Sequence, residues 1–392
     1  MRDVYVGGVG MSRMGKRPES SLKSLTAEAV QEALVDMDVE IDAIQLAVCG
    51  NSMGGILNGQ HGIRGEVLLR PLGFGGLPIW NVENACATGA NAFHLAWVAV
   101  ASGLVDCALA VGVEKMNVEK EKVTAALQGA MDAEERETIQ KLGNDPFMSL
   151  YAQEARSYLE EHHLDTKILA KVSQKNHRHA SLNPKAQFQR EYDIDEILQS
   201  RIVADPLTLL MCCPVTDGAA AMLLISQNRL SEKSHHQKVK VAASAMRSGE
   251  LPTVAGRWLS YGRTAREAYA MAGIGPHDIG IVEIHEPTAY NELSALEHMG
   301  LCGPGEAARL LEDGATSLEG RLPVNPSGGS LGRGHAIGAT GIAQLVELTT
   351  QLLGKAGRRQ VHETKYALAE VGGGFLGNDA AATGVSILQR VD

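Results

Sequence analysis

The sequence lacks three features that would assign it to other broad classes of protein. Its 392 residues carry a net charge of -10, and without a basic excess a surface gains nothing from counterion release on nucleic-acid phosphates. No apolar run approaches the ~18 residues that cross a bilayer. The chain opens on a strand pattern, "MRDVYVGGVGM", not on a charged and then apolar leader. We therefore expect a cytoplasmic protein that binds neither nucleic acid nor membrane.

The six cysteines also lack any CxxC pair. Neither a zinc ribbon nor a thioredoxin-like motif is therefore present, and we expect no bound metal ion. Scattered thiols in a large intracellular protein are mostly small buried apolar residues. Five of the six fit that description, and Cys86 is the exception.

What the sequence does contain is an alternation of strand and helix patterns, which indicates an α/β fold. Strands are predicted over 4–9, 46–49, 107–113, 219–226, 238–245, 279–284, 366–371 and 383–388. Residues 117–206 break the alternation, since they are more polar and read as helices and loops. A second turn rich in small residues, in "VNPSGGSLGRGHAIGATG", loosely echoes the Cys86 segment and suggests two related halves.

Cys86 stands in "NVENACATGANAFHLAWVAV", directly before an apolar helical pattern. At a helix N-terminus the positive end of the macrodipole and free amides stabilise a thiolate, so the thiol pKa is expected to fall and the cysteine to become a nucleophile. The alternative is a small buried residue that lets helices pack closely. The local sequence leaves both open.

Two histidines stand in sequence settings where a ligand could reach the side chain. His335 lies among glycines in "GRGHAIGATG", where a histidine can donate to an oxyanion or take a proton from a thiol. His285 and Glu286 follow an apolar strand in "VEIHEPTAYNEL", and α/β folds build sites at the carboxyl ends of strands. Taken singly, each histidine also fits a core or capping role.

Glu370 lies two residues before a glycine triplet in "YALAEVGGGFLGNDAAATG". The triplet offers unhindered amides that suit an oxyanion hole. A carboxylate beside an apolar strand is costly unless it is paired or protonated, so Glu370 is either a functional group with a raised pKa or a member of a structural ion pair.

The order of "ENACATGANA", "CCPVTDGAAAMLL", "HEPTAYNE", "NPSGGSLGRGHAIGATG" and a final "GGG" resembles the thiolase superfamily over nearly the whole chain. The stretch "NHRHASLNPKAQ" and the histidine of "HEPTA" look most like the sterol carrier protein-x type, because common thiolases have asparagine in place of His285. The resemblance implies a thiolase fold, with two duplicated βαβαβαββ halves in five layers, α-β-α-β-α. It also implies a first half of 1–116 with 207–235, a loop domain of 117–206 over coenzyme A, and a second half of 236–392.

The resemblance also implies roles for single residues. Cys86 matches the nucleophile that is acylated, and His335 matches the histidine that activates it. His285, with His335, matches the first oxyanion hole, and the backbone amides of Cys86 and Gly372 match the second. Ser244 falls roughly where thiolases contact the pantetheine arm, and the basic stretch 171–190 fits the nucleotide end of coenzyme A, although it also fits a solvated helix face.

Departures from the family pattern concern the second catalytic thiol. Common thiolases have it in "CxGGG", where this chain has Glu370. Enzymes of the sterol carrier protein-x type take it from "HDCF", where this chain has His285, Glu286, Pro287 and Thr288. We predict that Glu370 replaces the missing thiol, because a carboxyl with a raised pKa can move a proton at neutral pH. Thr288 in place of phenylalanine suggests room for a bulky or aromatic acyl group.

The resemblance therefore implies an acyltransferase that cleaves a 3-oxoacyl-CoA, with 2-benzoylsuccinyl-CoA as one candidate. It implies coenzyme A as co-substrate, no permanently bound cofactor, a homodimer, and a small zinc-ribbon and OB-domain partner as in bacterial and archaeal relatives. Two alternatives remain open: a condensing enzyme of the ketosynthase or hydroxymethylglutaryl-CoA synthase kind, and a non-catalytic scaffold subunit.

Overall fold

A computed structural model describes residues 1–134, 146–230, 238–251, 258–377 and 379–391. All eight predicted strands are present. The strands are β1 (Val4–Met11), β2 (Leu46–Gly50), β3 (Ile79–Val82), β4 (Cys107–Glu114), β5 (Ile202–Ala204), β6 (Leu207–Thr208), β7 (Gly218–Ser226), β8 (Lys238–Ser248), β9 (Ile279–Ile284), β10 (Tyr366–Gly373) and β11 (Ala382–Val391). The sequence patterns missed β3, whose half-buried residues give no clean alternation, and the short pair β5 and β6.

Helices connect most of these strands. They are α1 (Leu22–Met37), α2 (Gly54–Asn58), α3 (Arg64–Leu69), α4 (Thr88–Ala101), α5 (Lys120–Gln128), α6 (Pro146–Glu161), α7 (Lys167–Ser181), α8 (Ile194–Gln199), α9 (Leu259–Ala272), α10 (Ala289–His298), α11 (Ala307–Glu312), α12 (Gly329–Gly332) and α13 (Thr340–Leu352). Among the described residues, no helix is both long and apolar enough to cross a membrane. Helices α5 to α8 lie within the polar stretch 117–206.

Nine strands form two sheets that are joined along one edge into a continuous order, and β5 and β6 form a separate two-stranded sheet. Their order is β3-β2-β4-β7-β1 and then β8-β11-β10-β9, and one residue pair, Tyr5 with Lys240, joins β1 to β8. Helix α1 packs on β1 and β7, and α9 packs on β8 and β11. Helices α4 and α13 contact each other and strands of both sheets, so they form the layer between them. The five-layer α/β arrangement expected from the resemblance is thus confirmed.

Apart from the insertion 117–206 in the first half, the two halves have a similar order of strands and helices. In the second half the third strand is reduced to an isolated bridge between Val324 and Val282. Pro323 and Pro326 flank Val324, and proline cannot donate to a strand ladder. The boundary at 235 and 236 lies outside the described residues.

Glycines bring the two central helices together at their N-termini. A Cβ on Gly89 of α4 would lie 2.9 Å from the Gly338 carbonyl oxygen, and one on Gly341 of α13 would lie 2.4 Å from the Ala90 nitrogen. Only glycine permits this approach. The turn before α4 and the loop before α13 therefore meet, which places Cys86 beside His335.

Candidate active site

Cys86 lies in a tight turn at the start of the central layer. The turn is a single 3₁₀ helix, Ala85–Ala87, directly before α4. Ala85 has a φ of 47°, a left-handed conformation that disfavours any side chain. Its amide donates to Glu83 Oε1 over 2.6 Å, and its carbonyl accepts from the Thr88 hydroxyl over 2.6 Å. These bonds hold the turn, and the Cys86 side chain remains half-buried.

The structure brings the predicted cysteine and both predicted histidines together. Cys86 Sγ lies 3.2 Å from His335 Nε2, and His285 Nε2 lies 3.4 Å from the same nitrogen. His285 follows β9, at the carboxyl end of its strand, and His335 precedes α13. Three segments that are far apart in sequence thus converge on one point.

Thr340 fixes the tautomer of His335. The Thr340 hydroxyl donates to the Ala336 carbonyl over 3.1 Å and lies 2.8 Å from His335 Nδ1. Since that hydroxyl has one hydrogen, it accepts from Nδ1–H. The neutral ring therefore presents an unprotonated Nε2 to the Cys86 thiol.

Burial keeps both members of this pair neutral. It raises the pKa of Cys86 to about 12, with Glu114 and Glu83 adding to the effect, and it lowers the pKa of His335 to about 3, with a further contribution from Arg333. The expected fall in the thiol pKa at a helix N-terminus was therefore wrong, because desolvation outweighs the helix dipole. The geometry supports proton transfer as the thiol attacks, not a standing thiolate.

Glu370 lies on β10 directly beneath His285. The His285 amide donates to the Glu370 carbonyl over 3.1 Å and to its Oε2 over 3.3 Å. The carboxyl is completely buried, and its Oε1 has no hydrogen-bond partner among the described residues. Burial raises the pKa of Glu370 well above its ordinary value, which favours the protonated carboxyl.

The glycine triplet lies against the cysteine turn. A Cβ on Gly373 would stand 2.2 Å from the Asn84 carbonyl oxygen and 2.5 Å from the Ala87 nitrogen. On the opposite side of β10, a Cβ on Gly372 would stand 1.9 Å from the Tyr261 hydroxyl oxygen. Gly372 thus lies between the nucleophile turn and a tyrosine that sequence reasoning missed.

Tyr261 belongs to an aromatic cluster beside Glu370 and Gly372. Trp258 packs edge-on against Tyr261, with ring centroids 5.8 Å apart, and stacks on Tyr151 at 6.5 Å; Phe375 lies 5.7 Å from Trp258. Burial raises the pKa of the Tyr151 hydroxyl, and the ionised forms of Cys86 and Glu370 would raise it further. The cluster joins α6, the residues before α9 and the loop after β10, so no local pattern could reveal it.

Glu114 connects the loops around the site. Its buried carboxylate at the end of β4 accepts hydrogen bonds from the amides of Ser52, Met53 and Gly338, at 3.0, 3.1 and 3.1 Å. Gly338 follows the His335 segment. A cleft of about 440 Å³ opens beside the cysteine turn, and Met53, Ala85 and Gly374 are among its lining residues.

Two sequence expectations find no support here. Ser244 is 1% exposed on β8 and lies 3.0 Å from His94 Nδ1, so the structure places it in the core and not on a ligand surface.

The basic side chains of 171–190 are all paired with acids: Lys171 with Glu312, Lys175 with Glu292, Arg178 with Glu319, Lys185 with Glu32 and Arg190 with Glu196. The stretch presents no unpaired cationic patch for phosphates.

Comparison with known families assigns both halves. Residues 4–228 match the family described as "Thiolase, N-terminal domain", and residues 244–390 match "Thiolase C-terminal domain-like". Together the two matches span most of the chain.

Characterised relatives cover nearly the whole chain as well. Acetyl-CoA acetyltransferase of Methanothermobacter thermautotrophicus is 38% identical over 384 residues, covering 97% of this chain and 98% of the relative. Benzoylsuccinyl-CoA thiolase subunit BbsB of Thauera aromatica is 36% identical over 380 residues, covering 95% of each. Sterol carrier protein 2 of Gallus gallus is 35% identical over 421 residues, covering 100% of this chain and 76% of the relative.

Two solved structures share the fold. The Ltp2-ChsH2(DUF35) aldolase superposes with a TM-score of 0.82 at 23% identity, over 99% of this chain and 98% of the other. Human mitochondrial 3-ketoacyl-CoA thiolase superposes with a TM-score of 0.72 at 15% identity, over 100% and 99%.

Proposed function

Because this chain belongs to the thiolase family and is therefore an acyltransferase, we propose that it cleaves a 3-oxoacyl-CoA by thiolysis through an acyl-Cys86 intermediate. The observation that carries this proposal is the hydrogen-bonded series from Cys86 to His335 to Thr340. It supplies a nucleophile, a base of the correct tautomer and a group that orients the base.

In the first step the Cys86 thiol gives its proton to His335 Nε2 while the sulfur attacks the 3-oxo carbonyl carbon. The bond between C2 and C3 of the substrate then breaks, which leaves the acyl group on sulfur and an enolate on the departing thioester. His285 Nε2–H and the protonated His335 donate to the enolate oxygen. The neutral Glu370 carboxyl protonates C2.

The second step regenerates the site. Glu370, now ionised, takes the proton of the coenzyme A thiol, whose sulfur attacks the acyl-Cys86 carbonyl. The amides of Cys86 and Gly372 stabilise the resulting oxyanion, and the departing Cys86 sulfur takes back the proton held by His335. All protons are accounted for with coenzyme A as the only co-substrate, and no permanent cofactor is needed.

The acyl group is bulky or aromatic in this proposal. Support comes from the rings of Tyr151, Trp258 and Tyr261 beside Gly372 and Glu370, and from the relative named benzoylsuccinyl-CoA thiolase subunit BbsB. Thr288, which suggested the same class from sequence, gives no such support: its fully buried side chain lies 2.8 Å from Asn291 Oδ1 at the start of α10.

We also propose the assembly that the resemblance implies. The chain forms a homodimer, with 117–206 as the domain over coenzyme A, and acts in the cytoplasm. A small zinc-ribbon and OB-domain partner is part of the proposal, supported by the two-component name of the Ltp2-ChsH2(DUF35) aldolase.

The experiment is intact-protein mass spectrometry with aliphatic and aromatic 3-oxoacyl-CoA esters, on the native chain and on Cys86→Ala. We expect an acyl adduct on the native chain alone, which free coenzyme A removes. An adduct that forms from a simple acyl-CoA and is released only by a malonyl or acetyl donor would show a condensing enzyme instead. Absence of any adduct, with or without a zinc-ribbon partner protein, would favour a scaffold subunit.

A further inference from the structure

The Cys86 cluster has the donor set and spacing of a metal site, although the sequence contains no CxxC motif. Cys86 Sγ, His285 Nε2 and His335 Nε2 all lie within 4.8 Å of one another. In tetrahedral zinc coordination, the bond lengths to sulfur and nitrogen place neighbouring ligand atoms about 3.6 Å apart for S and N, and about 3.3 Å apart for two N. Two of the three separations are close to these values: 3.2 Å between Cys86 Sγ and His335 Nε2, and 3.4 Å between the two Nε2 atoms. The third, from Cys86 Sγ to His285 Nε2, is within 4.8 Å, so binding draws these two atoms together.

We propose that Cys86, His285 and His335 form an inhibitory binding site for a soft divalent cation, with Zn²⁺ as the representative ion. One thiolate and two imidazoles favour zinc over magnesium or calcium. Three protein ligands leave a fourth coordination position for water. Metal binding itself does not depend on the proposed function, but the inhibition does, because the ion occupies the nucleophile.

The hydrogen bond to Thr340 prepares His335 as a ligand. Metal-bound histidines donate their other ring N–H to an outer partner, which fixes the tautomer. Here Nδ1–H donates to the Thr340 hydroxyl, so the Nε2 lone pair points toward the cluster. His335 binds in this tautomer. His285 donates from Nε2–H in the proposed reaction, so its proton moves to Nδ1 before Nε2 binds the ion.

When Zn²⁺ binds, a Zn–S bond forms, the Cys86 thiol proton leaves to solvent and no redox change occurs.

The binding test uses Co²⁺ as a spectroscopic probe on the full chain without substrate. We expect one Co²⁺ per chain, with a thiolate-to-cobalt charge-transfer absorption that Zn²⁺ abolishes by displacement. Cys86→Ser should lose the absorption, while Cys213→Ser, a control at another half-buried cysteine, should retain it. Absence of the absorption, or its persistence in Cys86→Ser, would overturn the site.

A second measurement needs no variant. Zn²⁺ should protect Cys86 of the native chain from alkylation by iodoacetamide, read on the Cys86 peptide by mass spectrometry, and EDTA should restore the labelling. Labelling that Zn²⁺ does not slow would contradict the proposal even if Cys86→Ser failed to fold.

Inhibition is measured as the rate of Cys86 acylation by a 3-oxoacyl-CoA, with no free coenzyme A because its thiol also binds zinc. At free Zn²⁺ ten times the dissociation constant, mass action predicts a fall of about elevenfold. An unchanged rate with bound metal would refute the inhibition. If no ester acylates Cys86 while the cobalt absorption is present, the thiolase proposal fails and the metal site stands.

Discussion

The Thr340 hydroxyl lies 2.8 Å from Nδ1 of His335 and accepts a hydrogen bond from Nδ1–H, so the tautomer of the base that faces Cys86 is set by a residue that does not contact the thiol. We expect Thr340→Val to lower kcat about 10- to 100-fold, because His335 loses the hydrogen bond from Nδ1–H to the hydroxyl that fixes its tautomer. KM should change little. Steady-state kinetics provides the measurement.

Thr350 offers a matched control on the same helix. Its hydroxyl donates to the Val346 carbonyl over 2.7 Å and has no role in the site. Thr350→Val should leave kcat within about twofold. Equal losses in the two variants would show that helix stability, not the His335 bond, explains the effect.

Glu370→Gln tests the proton carrier that replaces the second thiol. A glutamine keeps the shape but cannot give or take a proton, so we expect turnover to fall about 100-fold or more. Glu286→Gln is the matched control, because burial also raises the pKa of Glu286, to about 8, and this carboxyl likewise has one oxygen that accepts from an amide and one without a partner among the described residues. Full turnover by Glu370→Gln would refute the assignment.

Stability should fall between about pH 4 and pH 8 because of Glu286. Its pKa is raised to about 8 by burial and then by Glu292, so the folded state holds the proton over a range in which the unfolded state has lost it. This contribution is complete below the unfolded pKa and is lost as pH rises through 8. Each pH unit in that window costs about 1.4 kcal/mol per proton.

Urea unfolding of the native chain and of Glu286→Gln at pH 6 and pH 8 measures this effect. The variant has no ionisable group at position 286. Its free energy of unfolding, relative to that of the native chain, should therefore rise by about 2 kcal/mol from pH 6 to pH 8. Glu319→Gln, at an exposed carboxylate, should show no such difference. A pH-independent gap for Glu286→Gln would mean that the carboxyl does not titrate in this range.

Gly373→Ala should displace the nucleophile turn. Its new Cβ would lie 2.2 Å from the Asn84 carbonyl oxygen, and such overpacking costs about 1 to 3 kcal/mol. We expect a lower melting temperature and at least a tenfold slower acylation of Cys86. Gly75→Ala is the control, because a Cβ there meets nothing within 4 Å, and wild-type behaviour of both variants would contradict this account of the triplet.

Trp258→Ala should change the choice of substrate. Loss of one aromatic contact is worth about 0.5 to 1.5 kcal/mol, so kcat/KM for an aromatic 3-oxoacyl-CoA should fall about 2- to 12-fold relative to that for acetoacetyl-CoA. The ratio between the two substrates corrects for any general damage. An unchanged ratio would show that the aromatic cluster does not bind the acyl group.

The main chemical groups of the site could be read from sequence because their local settings are unusual. Cys86 before a helix, His285 after a strand, His335 among glycines and Glu370 before a glycine triplet each stand in a short pattern with a chemical reason. The order of these patterns along the chain then indicated the family and, with it, the fold. The alternation of strand and helix independently indicated the α/β class.

Other features depended on residues distant in sequence. Ser244 is buried against His94 and the five basic residues of 171–190 find acidic partners, neither of which a linear pattern contains. Whether the pKa of Cys86 rises or falls also depended on the folded structure. Desolvation, which raises it, comes from all the surrounding residues, whereas the helix dipole that the sequence suggests is a local effect.

The sequence by itself determined which side chains are available for chemistry and the α/β class, since these follow from residue identity and hydrophobic period. The tertiary structure alone decided their distances, their protonation and the aromatic surface beside them. The physical reason is that the close approach of α4 and α13 at Gly89 and Gly341 aligns the Cys86 turn with the His335 loop. Only that packing turns separate motifs into one site.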